Sequence, residues 1–85
     1  MKVRSLKNDK ALQVVVHDDE GNLFFQSYNS VIVKVDKYGK IFLDRRLWQA
    51  SSTTGKYRNM FLGERIAETR KKIKRGQYVL KDLNN

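Results

Sequence analysis

The chain has no cysteine, no proline and a single histidine, and its acidic residues number nine against eighteen lysines and arginines. Without cysteine there is no disulfide and no thiolate nucleophile, and one histidine cannot complete zinc-finger spacing. A reducing compartment is compatible with such a chain. Long apolar runs are missing as well. Stretches such as Val14-Val15-Val16 and Val31-Ile32-Val33 fall far short of the ~20 residues that a membrane helix requires. Lys7, Asn8, Asp9 and Lys10 interrupt the basic N-terminus where a signal peptide would carry its apolar core. The expectation is a cytoplasmic protein with no membrane contact. No repeat or low-complexity segment marks an internal linker.

At 85 residues the chain is one domain, and folding can bury about two thirds or less of its unfolded surface. Apolar residues at 40% and nine aromatics still supply a core and argue against overall disorder. The formal charge of +9 is unevenly placed. Residues 1–10 carry +3, residues 11–55 balance to zero, and residues 56–75 hold eight cations and two acids, a net +6. Charge concentrated in this way attracts polyanions, nucleic acid first, with acidic protein surfaces and anionic lipid after it.

Leu12, Val14 and Val16 alternate with Gln13, Val15 and His17, the period of a strand. The turn Asp18-Asp19-Glu20-Gly21-Asn22 leads into Leu23–Tyr28, a hairpin signal. Val31, Val33 and Val35 predict a third strand, Asp36-Lys37-Tyr38-Gly39-Lys40 a turn, and Ile41–Leu43 a fourth. The hydroxyl run Ser51–Thr54 is then a helix start, since such side chains accept the first free backbone amides. Tyr57 and Phe61 lie on one helical face, while Leu62, Ile66, Thr69 and Ile73 define another turned by about 100°. One straight helix cannot bury both. A bend or break at Gly63 is expected, with helices near 53–62 and 64–75 and Gly76 as a left-handed cap. Gln77–Leu83 closes as a strand.

The fold class is therefore α+β: an antiparallel sheet of about four strands in two hairpins, one bent or two short helices packed on it, and a C-terminal strand. Residues 1–10 read as a basic flexible arm and 11–85 as a single domain. Asn84 and Asn85 read as a mobile end. The expected core is Val31, Val33, Val35, Ile41, Leu43, Trp48, Phe61, Leu62, Ile66, Ile73, Val79 and Leu80.

One stretch, Ser52-Thr53-Thr54-Gly55-Lys56-Tyr57-Arg58-Asn59, invites comparison with a phosphate-binding P-loop. That loop needs Gly, four residues, then Gly-Lys-Ser/Thr. Here the hydroxyls precede Gly55-Lys56 and the nearest upstream glycine is Gly39, so the register is wrong. Asp18-Asp19-Glu20 lacks the spaced oxygen ligands of a calcium loop and reads as a hairpin tip. His17 has no nucleophile or orienting group beside it in sequence. No catalytic residue, cofactor site or metal site emerges.

Ser27-Tyr28-Asn29-Ser30, Trp48, Thr53–Asn59, Phe61-Leu62-Gly63-Glu64, Thr69–Ile73, Gly76–Leu80 and Leu83-Asn84 together resemble small uncharacterised proteins encoded by bacteriophages and mobile elements of low-GC Gram-positive bacteria. The likeness covers residues 27–85 and implies a host cytoplasm. It brings no activity to carry over.

The cation-rich helical segment is the candidate site. Arg58, Arg65 and Lys72 recur every seven residues, so much of the charge can stand away from the apolar stripes. A solvated helix face is the plain alternative, with Glu68 placed to pair with Lys72. The reading is a small, non-enzymatic nucleic-acid-binding accessory protein that holds DNA or RNA phosphates through Lys56, Arg58, Arg65, Arg70, Lys71, Lys72, Lys74 and Arg75. The second reading is a modulator or inhibitor of an acidic host protein, such as a defence nuclease or replication factor. Trp48 and Tyr57 are expected in the core rather than stacked on bases.

Overall fold

The computed structural model describes residues 2–5 and 12–84. Six strands, β1 (Lys2–Ser5), β2 (Gln13–His17), β3 (Leu23–Ser27), β4 (Ser30–Val35), β5 (Ile41–Asp44) and β6 (Tyr78–Lys81), form one sheet in sequence order. Helices α1 (Ser52–Leu62) and α2 (Ile66–Lys74) join β5 to β6. The first five strands pair antiparallel and β6 pairs parallel to β5. A parallel pair needs a crossover connection, which is what sends both helices over one face. The expected α+β class stands, with one correction at its start. Lys2–Ser5, assigned by sequence to the flexible arm, is instead an edge strand paired with β2. The rest of that arm lies outside the described residues.

Two hairpins use the same chemistry. Asp18 Oδ1 accepts from the backbone amides of Glu20 and Asn22, both at 2.9 Å, and Asp36 Oδ1 accepts from those of Tyr38 and Lys40 at the same distance. Aspartate side chains that bond their own backbone stabilise such turns. The turn between β3 and β4 is different. Tyr28 and Asn29 both have positive φ, at 51° and 69°, between the paired Ser27 and Ser30. Two central residues of positive φ make a type I′ turn, whose twist suits a two-residue hairpin. The strand expected to run through Tyr28 therefore stops at Ser27, because a tyrosine and an asparagine give a far weaker signal for this turn than Asn-Gly.

Between Phe25/Gln26 and β4 the register shifts, leaving Ile32 without a partner of its own. Such a bulge can turn two adjacent side chains to one side, and Ile32 and Val33 are both buried in the core. They pack there with Phe25, Leu43, Trp48, Tyr57 and Tyr78. Phe25 stacks on Phe61 of α1 with ring centroids 5.7 Å apart. Of the expected core, Val33, Leu43 and Trp48 are buried, and Val35, Ile41, Phe61, Leu62, Ile66, Ile73 and Leu80 pack against it partly exposed. Val31 and Val79 are half-buried outside that cluster. The β2 alternation is corrected: Val15 is fully buried and Leu12 is exposed, while Gln13, Val14 and Val16 are buried as well.

Polar side chains fasten the ends. Asp44 accepts from the amides of Arg46 and Leu47 through Oδ2 and from that of Leu83 through Oδ1. Burial alone would raise its pKa; these hydrogen bonds prevail and lower it. Asn84, expected to be mobile, bonds both backbone groups of Val31 at 2.7 Å. It occupies the edge of β4 beyond the last β5 pair. Asn85 lies outside the described residues.

Ser51 caps α1 by accepting from Thr54 N at 3.1 Å, and Gly63 ends it in the left-handed region at φ 70°. The expected break at Gly63 is therefore present. Its chain neighbours aside, no atom of the described residues lies within 4 Å of a Cβ built on Gly63, so the constraint there is backbone conformation. Gly63→Val is expected to cost ~1 kcal/mol or more, because a β-branched residue is penalised at positive φ, and Gly63→Asn less than Gly63→Val. Thermal melts of the two variants check this order.

Candidate nucleic-acid interface

The start of α1 and the first turns of α2 enclose an open groove of ≈ 770 Å³, lined by Gln49, Ser51, Ser52, Gly55, Lys56, Arg58, Asn59, Arg65, Ile66 and Arg70. Four of these are cations and none is acidic. The local sequence explains the arrangement. Ser51 begins α1, and Thr54 Oγ1 accepts from Ser51 Oγ at 3.1 Å and shares a hydrogen bond with Ser27 Oγ at 3.0 Å. These bonds hold the helix start on the end of β3. Lys56 and Arg65 are exposed at the groove, and exposed Arg70 donates to Gln49 Oε1 at 3.3 Å.

Arg58 forms the buried wall. Only 1% of it is exposed, which overturns its expected place on the helix surface. One terminal nitrogen donates to the carbonyl oxygen of Trp48 at 2.5 Å and the other to Asn59 Oδ1 at 3.0 Å. The guanidinium lies 5.4 Å from the Trp48 ring centroid, while Nε is buried without a hydrogen-bond partner. Among the described residues its hydrogen-bond acceptors, the Trp48 carbonyl and the Asn59 side-chain oxygen, are both neutral. Burial lowers its pKa and the charge of Arg70 lowers it further, against the weaker pull of Glu64. An arginine stays protonated under such shifts. The groove therefore has a buried positive charge behind it and exposed ones at its rim.

Of the eight predicted phosphate-binding residues, Lys56, Arg58, Arg65 and Arg70 come together here. Lys71, Lys74 and Arg75 are exposed along the later part of α2, outside the groove lining. Lys72 is engaged elsewhere: its Nζ lies 2.6 Å from Glu64 Oε1 and donates to Tyr78 Oη at 3.5 Å. The expected single cationic surface is thus three separate places. Gln49, Ser51, Ser52 and Asn59 join the groove without having been singled out as site residues. The serines had a visible signal in the hydroxyl run before Gly55-Lys56, though the P-loop register is absent.

Glu64 secures the joint between the helices. It also accepts from Thr69 Oγ1 at 2.6 Å and from Tyr78 Oη at 2.9 Å. Burial would raise its pKa, yet the hydrogen bonds from Lys72, Thr69 and Tyr78 outweigh that and lower it.

The family model described as a family of unknown function (DUF8033) matches residues 1–79. The chain belongs to that family. The match includes the first 26 residues, where the likeness noted from sequence did not reach. No curated protein and no solved structure matches the chain. Among the described residues no helix is long and apolar enough to cross a membrane.

Two substitutions test the wall of the groove and the joint between the helices. Arg58→Ala removes two hydrogen bonds and leaves a buried carbonyl unpaired, so it should cost ~2–3 kcal/mol, read in urea by fluorescence of the lone Trp48. Glu64→Gln should cost ~1–3 kcal/mol at neutral pH. Because the folded pKa of Glu64 is below its ordinary 4.5, its ionised form contributes stability above that value. The contribution is lost as pH falls through the folded value. The difference between wild type and Glu64→Gln should therefore narrow in acid, measured by melts from pH 7 to pH 2.

Proposed function

We propose that this chain is a non-enzymatic nucleic-acid-binding accessory protein that takes a phosphate backbone in the groove between α1 and α2. The observation that carries the reading is a groove lined by Lys56, Arg58, Arg65 and Arg70 with no carboxylate among its lining residues. Four like charges repel one another and are drawn to an anion that sits among them. Arginine suits the task because its planar fork can take two phosphate oxygens at once. Ser52 adds a hydroxyl donor beside the start of α1, where the helix dipole also favours negative charge.

The groove meets phosphates rather than bases, so binding through it is indifferent to base sequence and sensitive to salt. Lys71, Lys74 and Arg75 extend the positive potential along α2 and steer a polyanion toward the groove. The likeness to phage and mobile-element proteins adds a bacterial host cytoplasm as the setting.

Fluorescence anisotropy with a labelled 20-base-pair duplex at several salt concentrations tests the reading. Arg65→Gln with Arg70→Gln should weaken binding and reduce the magnitude of the salt slope by about 2, since each arginine that neutralises a phosphate adds roughly one to it. The fold should persist, since both residues are exposed and exposed substitutions are usually within ~0.5 kcal/mol. A wild-type protein that does not bind the duplex even at low salt overturns the proposal, and so does an unchanged slope in the double variant. Capture of one acidic protein instead would favour the modulator reading.

A further inference from the structure

The face of the sheet away from the helices carries a second arrangement, unrelated to the groove. Phe24, Lys34, Phe42 and Val79 are cross-strand neighbours in one row over β3, β4, β5 and β6. Their chain neighbours Phe25, Val33 and Leu43 are fully buried in the core beneath the helices, and alternation along a strand turns the row to the opposite face. Phe24 and Phe42 are half-buried there. Lys34 Nζ lies 5.9 Å from the Phe24 ring centroid and 6.0 Å from that of Phe42. Lys40 and Lys81 approach Phe42 to 5.8 Å and 5.3 Å. In the adjoining turn Tyr38 is 83% exposed, with Lys37 Nζ 5.2 Å from its ring.

Four ammonium groups thus lie over three aromatic rings. The nearby carboxylates include Asp36, which closes the turn through Tyr38 N and Lys40 N, Asp18, whose pKa is lowered by its bonds to Asn22 and, more weakly, by Lys34, and Asp44, the cross-strand partner of Lys81, which accepts from the amides of Arg46, Leu47 and Leu83. The positive charge exceeds the negative. Lysine stems shield the rings from water while the ammonium stays hydrated, and these stems are long enough to swing aside.

We infer that this face binds single-stranded nucleic acid, with bases stacking on Tyr38 and Phe42 and Lys34, Lys40 and Lys81 meeting the phosphates. The ligand has to supply flat rings and anions together. A single strand, DNA or RNA, offers both along its length. A duplex presents its phosphates but keeps its base faces within its own stack, and an anionic membrane has no ring to offer. Phe24 extends the platform toward β3. The inference does not depend on the groove, which would hold a backbone by charge alone.

The test uses Arg65→Gln/Arg70→Gln protein as the background, which removes the groove's arginine rim and leaves the sheet untouched. Labelled dT20 and rU20 are compared by anisotropy with a 20-base-pair duplex and with an abasic strand of the same length. The background protein should bind dT20 or rU20, and should bind the abasic strand at least several-fold more weakly. Phe42→Leu with Tyr38→Ala, which removes both stacking rings, should lower affinity for the base-bearing strands by more than the roughly 5- to 150-fold expected for loss of one stacked base. Phe42→Leu keeps an apolar side chain in the row, and a thermal melt verifies the fold. Lys34→Gln with Lys81→Gln, which leaves both rings in place, should weaken binding and flatten its salt dependence. If the background protein fails to bind either strand, the inference is wrong, even where the wild type binds duplex through the groove. Equal affinity for dT20 and the abasic strand, or unchanged affinity in Phe42→Leu/Tyr38→Ala, overturns it as well. Binding of the single strands by protein that never bound duplex would reject the groove and retain the sheet face.

Discussion

The acceptance of three donors by the Glu64 carboxylate holds the two helices in the relation that the rest of the molecule requires. Gly63 ends α1, Glu64 follows at once, and its oxygens take Thr69 and Lys72 from α2 and Tyr78 from β6. The carboxylate is nearly enclosed, with its side chain 4% exposed. An isolated charge in such a place would be strongly unfavourable, and only a matched set of donors makes it tenable. That set comes from a helix and a strand. Ionised Glu64 therefore links the break between the helices to the parallel docking of β6 against β5.

The groove depends on this joint. Its walls are the start of α1 and the start of α2, two parts of the chain that a continuous helix would carry apart. The sharp turn at Gly63 and Glu64 returns Arg65 and Arg70 toward Lys56 and Arg58. Within the wall, Trp48 and Arg58 support each other: the ring packs on the guanidinium and the Trp48 carbonyl accepts from it. A cation–π interaction gains strength where water is excluded. The core anchor and the buried charge are thus one structural unit.

The same use of carboxylates explains why the molecule presents so much positive charge. Several acids are engaged as acceptors by the fold itself: Asp18 and Asp36 in hairpin turns, Asp44 at the end of β5, and Glu64 at the helix joint. Asp82 lies 3.6 Å from Arg45. Most lysines and arginines of residues 56–75 have no such duty and stand exposed on the helices. Residues 11–55 are neutral by count, yet strand pairing gathers their Lys34 and Lys40, with Lys81 from β6, about Phe42.

Local chemistry by itself determined the two Asp-to-Gly hairpin turns, the helix start in the hydroxyl run, the break at Gly63 and the positive φ of Gly76, because each rests on residues within a few positions of one another. The α+β class followed from those elements. The type I′ turn at Tyr28-Asn29 was hidden, since the pair lacks the glycine that usually marks such a turn. Nor could sequence reveal that Lys2–Ser5 pairs with β2, because pairing depends on a partner strand rather than on local pattern. The largest difference concerns Arg58, Arg65 and Lys72. In sequence they are one charged series at spacing seven. In the fold the first is buried against Trp48, the second stands at a groove, and the third turns to Glu64 and Tyr78. Helical periodicity reports only which residues share a face; whether a charge on that face meets solvent, a carbonyl or a carboxylate is decided by what the rest of the chain packs against it.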